Sequence, residues 1–538
     1  MTAKPKEPED QTVTLSPQEY VDFCISPRKL PRVRGVGIVV DGDVNLPDLK
    51  GGDGVQQLRD AVIRGKLIAD SGCRLGVIYA CTVEGSCDIS GSRVWSISKK
   101  FKAMGDFQAG GCERIGLVSG YFGGDLSLEG SAVNRLGHGL VCQGDLRLSG
   151  CKRIKTVNCP VGGSLYLSDS SVEKFGASLQ VGGELKLQGC YGIRHLGECG
   201  NPTDVDISDS GVKEVGASFC CRGQLMAGDC HILEHISPAA RYRSLFLQRS
   251  MIKELDTGNA DGEIHLDRCR NLKKFATNTS GQVRIVQCGI TSLDDVSPNA
   301  KSLIVEDCLR IETMGGHRKG KVELWGVNGL RQIRSDFLCE GDLAIWGCRN
   351  LWSLSGRVHG NTTICSSQQL QKIGPDFSTG GNLSAPLGSL WVDEIGCHIG
   401  GNLSLSGCPI KSTSDTLYVE GNADLGKTGQ LKFVRGWIGG NLVLDKSAVT
   451  LLDQDLTVKG NLSAQDCDGL VTVNCKVGGE AKISGKRLPP GIGCARTGGN
   501  SPARQDNVTM KKTGLRRAGK DGGPPKTPDI VERKGKSE

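Results

Sequence analysis

The sequence predicts a repeat solenoid, mainly β, of about 22 rungs, and three observations carry that expectation. Apolar anchors recur every 19 to 21 residues from Leu67 to Ala481. Within each rung apolar and polar residues alternate around the anchor, as in Leu146-Arg147-Leu148 and Leu185-Lys186-Leu187, the period of two that turns one face of a short strand inward. There are 77 glycines in 538 residues, about twice the usual share of roughly 7%, while aromatics make up only 4%, so tight bends are abundant and bulky core side chains scarce. A compact chain of this length would split into several cores. A fixed period of about twenty residues instead means stacked units that bury their edges only against one another.

The anchors are Leu67, Cys87, Phe107, Leu126, Leu146, Leu165, Leu185, Val205, Leu225, Leu245, Ile264, Val283, Leu303, Val322, Leu343, Thr362, Leu383, Leu403, Ala423, Leu442, Leu462 and Ala481. One strand per rung is expected there, preceded by glycines such as Gly162-Gly163 and Gly182-Gly183 that suit close backbone packing. After the strand comes either Cys-x-x-apolar, as from Cys151 to Ile154, or Ser-x-apolar, as from Ser170 to Val172, and the two forms alternate through the first half. The rest of each rung has no helical period and reads as extended.

Around this tract the chain divides into four parts. Residues 1–10 are polar and read as a disordered N-terminus, with no apolar run for a signal peptide. Residues 11–66 read as an N-terminal cap with short helices, because Ser16-Pro17-Gln18-Glu19 is a capping box and Asp53 is placed to start a second helix ending near Gly65. Residues 67–485 are the solenoid, and 486–538 read as a disordered, basic Gly/Pro-rich tail. No segment has 18 consecutive apolar residues, so no membrane span is expected, and the chain is read as cytoplasmic when synthesised.

The net charge of +7 belongs to the tail, where 13 Lys and Arg face 5 Asp and Glu from Lys486 onward. The solenoid is near neutral and offers no basic face, so contact with nucleic acid is expected only through the tail.

The string from Leu146 to Ile154, Leu-x-Leu-x-x-Cys-x-x-Ile, resembles the short bacterial leucine-rich repeats, including those of effector proteins delivered into host cells. The resemblance covers about residues 67–485. It implies a bacterial, leucine-rich-repeat-like scaffold that binds a protein partner, secreted into a host cell without a cleaved signal peptide. The glycine three residues before most anchors departs from that pattern, and the Gly123-Gly124-Asp125-Leu126 run also suits a right-handed parallel β-helix, the alternative architecture with the same period.

Chemistry-bearing residues fall into the repeat. Ten of the 24 cysteines, namely Cys112, Cys151, Cys190, Cys230, Cys269, Cys288, Cys308, Cys348, Cys408 and Cys467, sit five residues after an anchor. They read as one buried thiol column, in a reducing compartment. His231, His235 and His195 have no helix to make them a ligand set, and no nucleophile elbow, P-loop or zinc motif appears, so neither metal, cofactor nor small-molecule substrate is expected and the chain is read as a non-enzyme. Asn361, Asn382, Asn402, Asn422, Asn441 and Asn461 each precede an anchor and read as an asparagine ladder, with a glycan-bearing face as the rival reading.

Function is expected on the outward strand positions, which the repeat leaves free. The residue after each anchor gives Arg147, Tyr166, Lys186, Met226, Phe246, His265 and Arg284, a mixed aromatic, apolar and basic stripe. Two positions further along, Trp325 and Trp346 fall at the same place in adjacent rungs, about 4.8 Å apart along a sheet. Together these are the expected partner-binding residues of a recognition scaffold. A self-assembling structural solenoid is the alternative.

Overall fold

The computed structural model describes residues 12–27, 37–258, 260–386 and 388–486. It is a mainly-β parallel solenoid of about 22 turns, with a single α-helix among the described residues. The residues assigned to a disordered N-terminus and all but the first residue of the basic tail lie outside the described residues.

Every anchor from Leu67 to Ala481 stands in register with the next. Leu146 pairs Leu165, Leu165 pairs Leu185, Leu343 pairs Thr362, and Leu462 pairs Ala481, all parallel. Val44 pairs Leu67 in the same way, so this long sheet reaches one turn back into the region read as a cap. The anchor and the residue two further on point inward. Leu146, Leu148, Leu185 and Leu187 are fully buried.

The turn carries more than the one strand expected of it. A second side is built by Gly37–Val40, Ala61–Ile63, Thr82–Val83 and their successors to Gln180–Val181, and it resumes from His317–Arg318 to Lys476–Val477. A third side begins with Gln57–Arg59, Val77–Tyr79 and Ser96–Ile97. Parallel sheets on several sides are the β-helix arrangement rather than that of a single-sheet arc. Sequence alternation missed the extra strands because most are two residues long, too short to show a period.

The corner after the long sheet is a single backbone position repeated. Four residues after most anchors the chain takes φ near +60°, at Gly130 (64°), Gly150 (74°), Asp169 (57°), Arg249 (50°), Arg268 (53°) and Lys446 (60°). Glycine enters this region without a Cβ clash and aspartate tolerates it, which is why Gly and Asp recur there.

The next residue is the thiol column. All ten cysteines predicted for it are buried and none is in a disulfide. Each thiol of the first half donates to a main-chain carbonyl of the turn before, Cys112 to Ile89 O at 3.1 Å and Cys151 to Leu128 O at 3.0 Å. The same preceding turn also brings up a serine of the alternate rung, with Ser131 Oγ 3.7 Å from Cys151 Sγ and Ser170 Oγ 3.5 Å from Cys190 Sγ. Further buried thiols line other interior positions, and burial pushes those of Cys142, Cys159, Cys221 and Cys397 up to about 12.

This predicts an alkaline weakness. A thiol of the unfolded chain loses its proton near 8.5, so between there and 12 the unfolded state binds fewer protons than the folded one and stability falls as pH rises. Below that window the contribution is complete. The midpoint of urea unfolding, followed by circular dichroism, is expected to stay level from pH 7 to 8 and to drop above about pH 9. Replacing Cys142, Cys221 and Cys397 together with valine should make that drop shallower, and an unchanged slope would exclude the thiols as its cause.

Ahead of each anchor lies a ladder. Oδ1 of Asp125 accepts from the Asp145 N–H at 2.8 Å, and Oδ1 of Asp145 from Ser164 N–H at 2.8 Å. In the second half asparagine takes over: Asn382 Oδ1 accepts from Asn402 N–H at 2.7 Å, and Asn402, Asn422 and Asn441 repeat the bond at 2.8 Å. The ladder therefore joins each side chain to the backbone of the next turn, more than amide to amide. The adjoining glycine makes room for it, since a Cβ on Gly401 would lie 2.6 Å from Asn382 Oδ1.

At the N-terminal end, helix α1 (Pro17–Ile25) lies across the stack with Tyr20 and Val21 fully buried. Its capping box is formed, Ser16 Oγ accepting from Glu19 N–H and the Glu19 carboxylate from Ser16 N–H. The second short helix expected from Asp53 to Gly65 is a 3-10 turn, Gly52–Gly54, followed by strands; the apolar run Ala61-Val62-Ile63 pairs into the second side instead.

Candidate interaction surface

The outward residues of the long sheet stand in one straight column. Arg147, Tyr166, Lys186, Asp206, Met226, Phe246, His265 and Arg284 are neighbours in register, turn by turn. Asp206 is buried and the others are half-buried. The strand geometry that buries the anchor points its successor outward, and the stacking of turns brings successors together.

The column is occupied by its own internal contacts. The Arg147 guanidinium lies 4.5 Å from the centre of the Tyr166 ring and bonds Asp145 at 2.8 Å, and Lys186 Nζ reaches the same ring at 5.9 Å. The bond to Glu184 holds the Lys186 ammonium above its usual pKa. Phe246 and His265 meet edge to face at 6.2 Å, and Arg284 pairs with Glu306 at 2.9 Å.

Trp325 and Trp346 lie further along the same sheet, in the neighbouring outward column. Their rings are parallel within 6° and 5.0 Å apart. Trp325 remains 41% exposed and Trp346 is half-buried, and Trp325 Nε1 faces Glu323 Oε2 at 3.4 Å. Beside the pair is a shallow hollow of about 470 Å³ lined by Lys321, Glu323, Asp342, Ala344, Thr363 and Ser384. Its floor dips at Ala344, whose register neighbours Glu323 and Thr363 are larger. The structure thus joins Trp325 and Trp346 to one another, with ten turns of the sheet between Arg147 and Trp346.

Sequence reading missed a second stack. His398, Tyr418 and Trp437 are register neighbours on the second side, their rings within 7° of parallel and 4.9 and 4.3 Å apart. The signal was available, since each of the three sits five residues before its anchor. Trp352, Trp391 and Phe433 are also exposed, at 55%, 54% and 43%. None of the six tryptophans contributes to the core, and five of them fall between Trp325 and Trp437. These large aromatics therefore lie at the surface in one stretch of a chain that is otherwise poor in them.

His195 and His235 are two turns apart with Glu214 between them, His195 Nδ1 lying 3.1 Å from the Glu214 carboxylate, and His231 stands apart from that column. Among the described residues no group of three or more His, Cys, Asp or Glu is placed to hold a metal ion, and no helix is long and apolar enough to cross a membrane. No family model matches the chain, and no curated protein matches it.

Proposed function

We propose that this protein is a non-catalytic recognition scaffold that binds a protein partner through the outward face of its long sheet, with Trp325 and Trp346 at the centre of the contact. The observation that carries this reading is the placement of the tryptophans: all outside the core, five in one stretch, two of them stacked beside an open hollow on a flat face. Such a pair offers large apolar area at little entropic cost, since neighbouring rings already hold one another in place. The helix across the N-terminal end supports a discrete scaffold over an end-to-end polymer, because it covers the edge that a second solenoid would need.

The test exploits the dip in the face. Ala344→Arg fills the hollow from a half-exposed position without touching the core, and is expected to reduce affinity at least tenfold for a protein partner recovered by pull-down with the unaltered chain. Ser412→Arg, on the third side, should leave binding unchanged. Normal binding by the Ala344 variant with loss in the Ser412 variant would move the contact to another face and refute the proposal.

A further inference from the structure

The two ends of the solenoid differ. At the N-terminal end the Tyr20 hydroxyl donates to Arg59 O and accepts from Arg59 N–H, both at 3.0 Å, so the helix is buckled onto the first turns. At the other end the strand Ala481–Ile483 pairs backwards with Leu462–Ala464, and among the described residues no strand follows it. Apolar side chains there are uncovered. Val477 and Ala481 are half-exposed, while their counterparts one turn inside, Val458 and Leu462, are each 1% exposed.

The chain has already begun another turn at its last described residues. Ser484 N–H donates to Ala464 O, Cys467 N–H donates to Ser484 O, both at 3.0 Å, and Lys486 Nζ meets Asp468 at 2.6 Å. Residues 484–486 therefore still track the turn beneath them.

The sequence beyond continues the same arithmetic. In the last described turn, Val473 and Cys475 stand eleven and thirteen residues after the anchor Leu462, and Gly478-Gly479-Glu480 leads into Ala481. Counting from Ala481, Ile492 and Cys494 stand at the same eleven and thirteen, and Gly498-Gly499-Asn500 leads into Ser501, twenty residues on. Ala503 then takes the place of Ile483. Three departures are toward polarity, Lys486 in the thiol column, Arg496 at the count where Val477 stands and Ser501 at the anchor, and Pro489 takes the place of Leu470. A terminal repeat with nothing stacked beyond it needs that polar outer surface.

We propose that the open C-terminal end of the stack is a docking surface whose occupant is the chain's own segment 487–503, laid over it as one further turn. Ile492 and Cys494 would then cover Val473 and Cys475, and the Asn500 N–H would continue the ladder onto the Glu480 side chain, as Glu480 N–H now does onto Asn461 Oδ1 at 2.8 Å. Both ends of the solenoid are closed by this arrangement from within the chain.

Hydrogen exchange on the full chain tests it. The amides of 472–483 are expected to exchange at least tenfold faster in Ile492→Asp/Cys494→Asp than in the unaltered chain, and to be unaffected when only residues 504–538 are removed. Equal exchange in the double variant would overturn the proposal, as would loss of protection on removing 504–538 alone. Protection of 472–483 that grows with protein concentration, together with a dimer mass by light scattering, would assign the surface to a second copy and overturn it too.

Discussion

Replacing Trp325 and Trp346 together with alanine is expected to weaken partner binding about thirtyfold or more while leaving the solenoid folded. The magnitude follows from the behaviour of central aromatic anchors, whose truncation costs roughly 2 kcal/mol or more, each 1.4 kcal/mol being tenfold in affinity. The two losses should not add, because the rings touch and the first removal already strips support from the second. Stability should change little. A stacked aromatic pair contributes about 0.5–1.5 kcal/mol beyond its burial, and neither ring lies in the core. Isothermal titration with the recovered partner and thermal unfolding of the same samples separate the two effects. Unchanged affinity would remove the pair from the contact, and unfolding of the variant would make it structural.

Gly182→Ala should do the opposite, destabilising the stack with no direct effect on the binding face. A Cβ on Gly182 would fall on the carbonyl oxygen of Gly162 one turn below, and Gly162 stands in the same relation to Gln143. The obstructing atoms are main chain, so relief requires the turns to separate, and a cost of about 3 kcal/mol is expected, the upper part of the usual range for overpacking. Because each turn is held by its neighbours, the damage should divide the stack, with amides near residues 143–185 losing exchange protection first. Gly429→Ala is the control. That glycine has nothing within 4 Å of the place its new methyl would take and no positive φ, so its replacement should be neutral or slightly stabilising. Equal midpoints of unfolding for the two variants would show that close approach of the turns is not what fixes glycine at Gly182.

Much of this architecture is legible in the chain because a repeat states each rule many times. Leu146, Leu165 and Leu185 announce the long sheet, and the register follows their spacing to the residue. The thiol column and the ladder were legible for the same reason. The second and third sides were not, since two-residue strands such as Thr82–Val83 leave no alternation to read, and their pairing is set by stacking rather than by local preference. Arg318 was equally hidden. It is 3% exposed at an inward position where the next turns carry Cys339 and Val358, and its guanidinium ends on the carbonyls of His317 and Leu293, a placement that burial makes costly and lowers its pKa for. Among the exposed aromatics, Trp325 and Trp346 showed because they share an offset from their anchors. Trp352, Trp391 and Phe433 share none, and only the three-dimensional path of the turns reveals that they too face outward.

The alternation of serine and cysteine inside the corner also bears on how such a chain finds its register. Consecutive turns are nearly interchangeable, so the easiest error in assembling them is to omit one and stack its neighbours directly. In the first half of the solenoid the correct contact sets a hydroxyl against a thiol, as at Ser92 and Cys112 or Ser170 and Cys190. Omitting one turn sets thiol on thiol or hydroxyl on hydroxyl at the junction, whichever turn is lost. The column thus gives otherwise similar turns an odd and an even identity, a parity check written in side chains that never reach the surface.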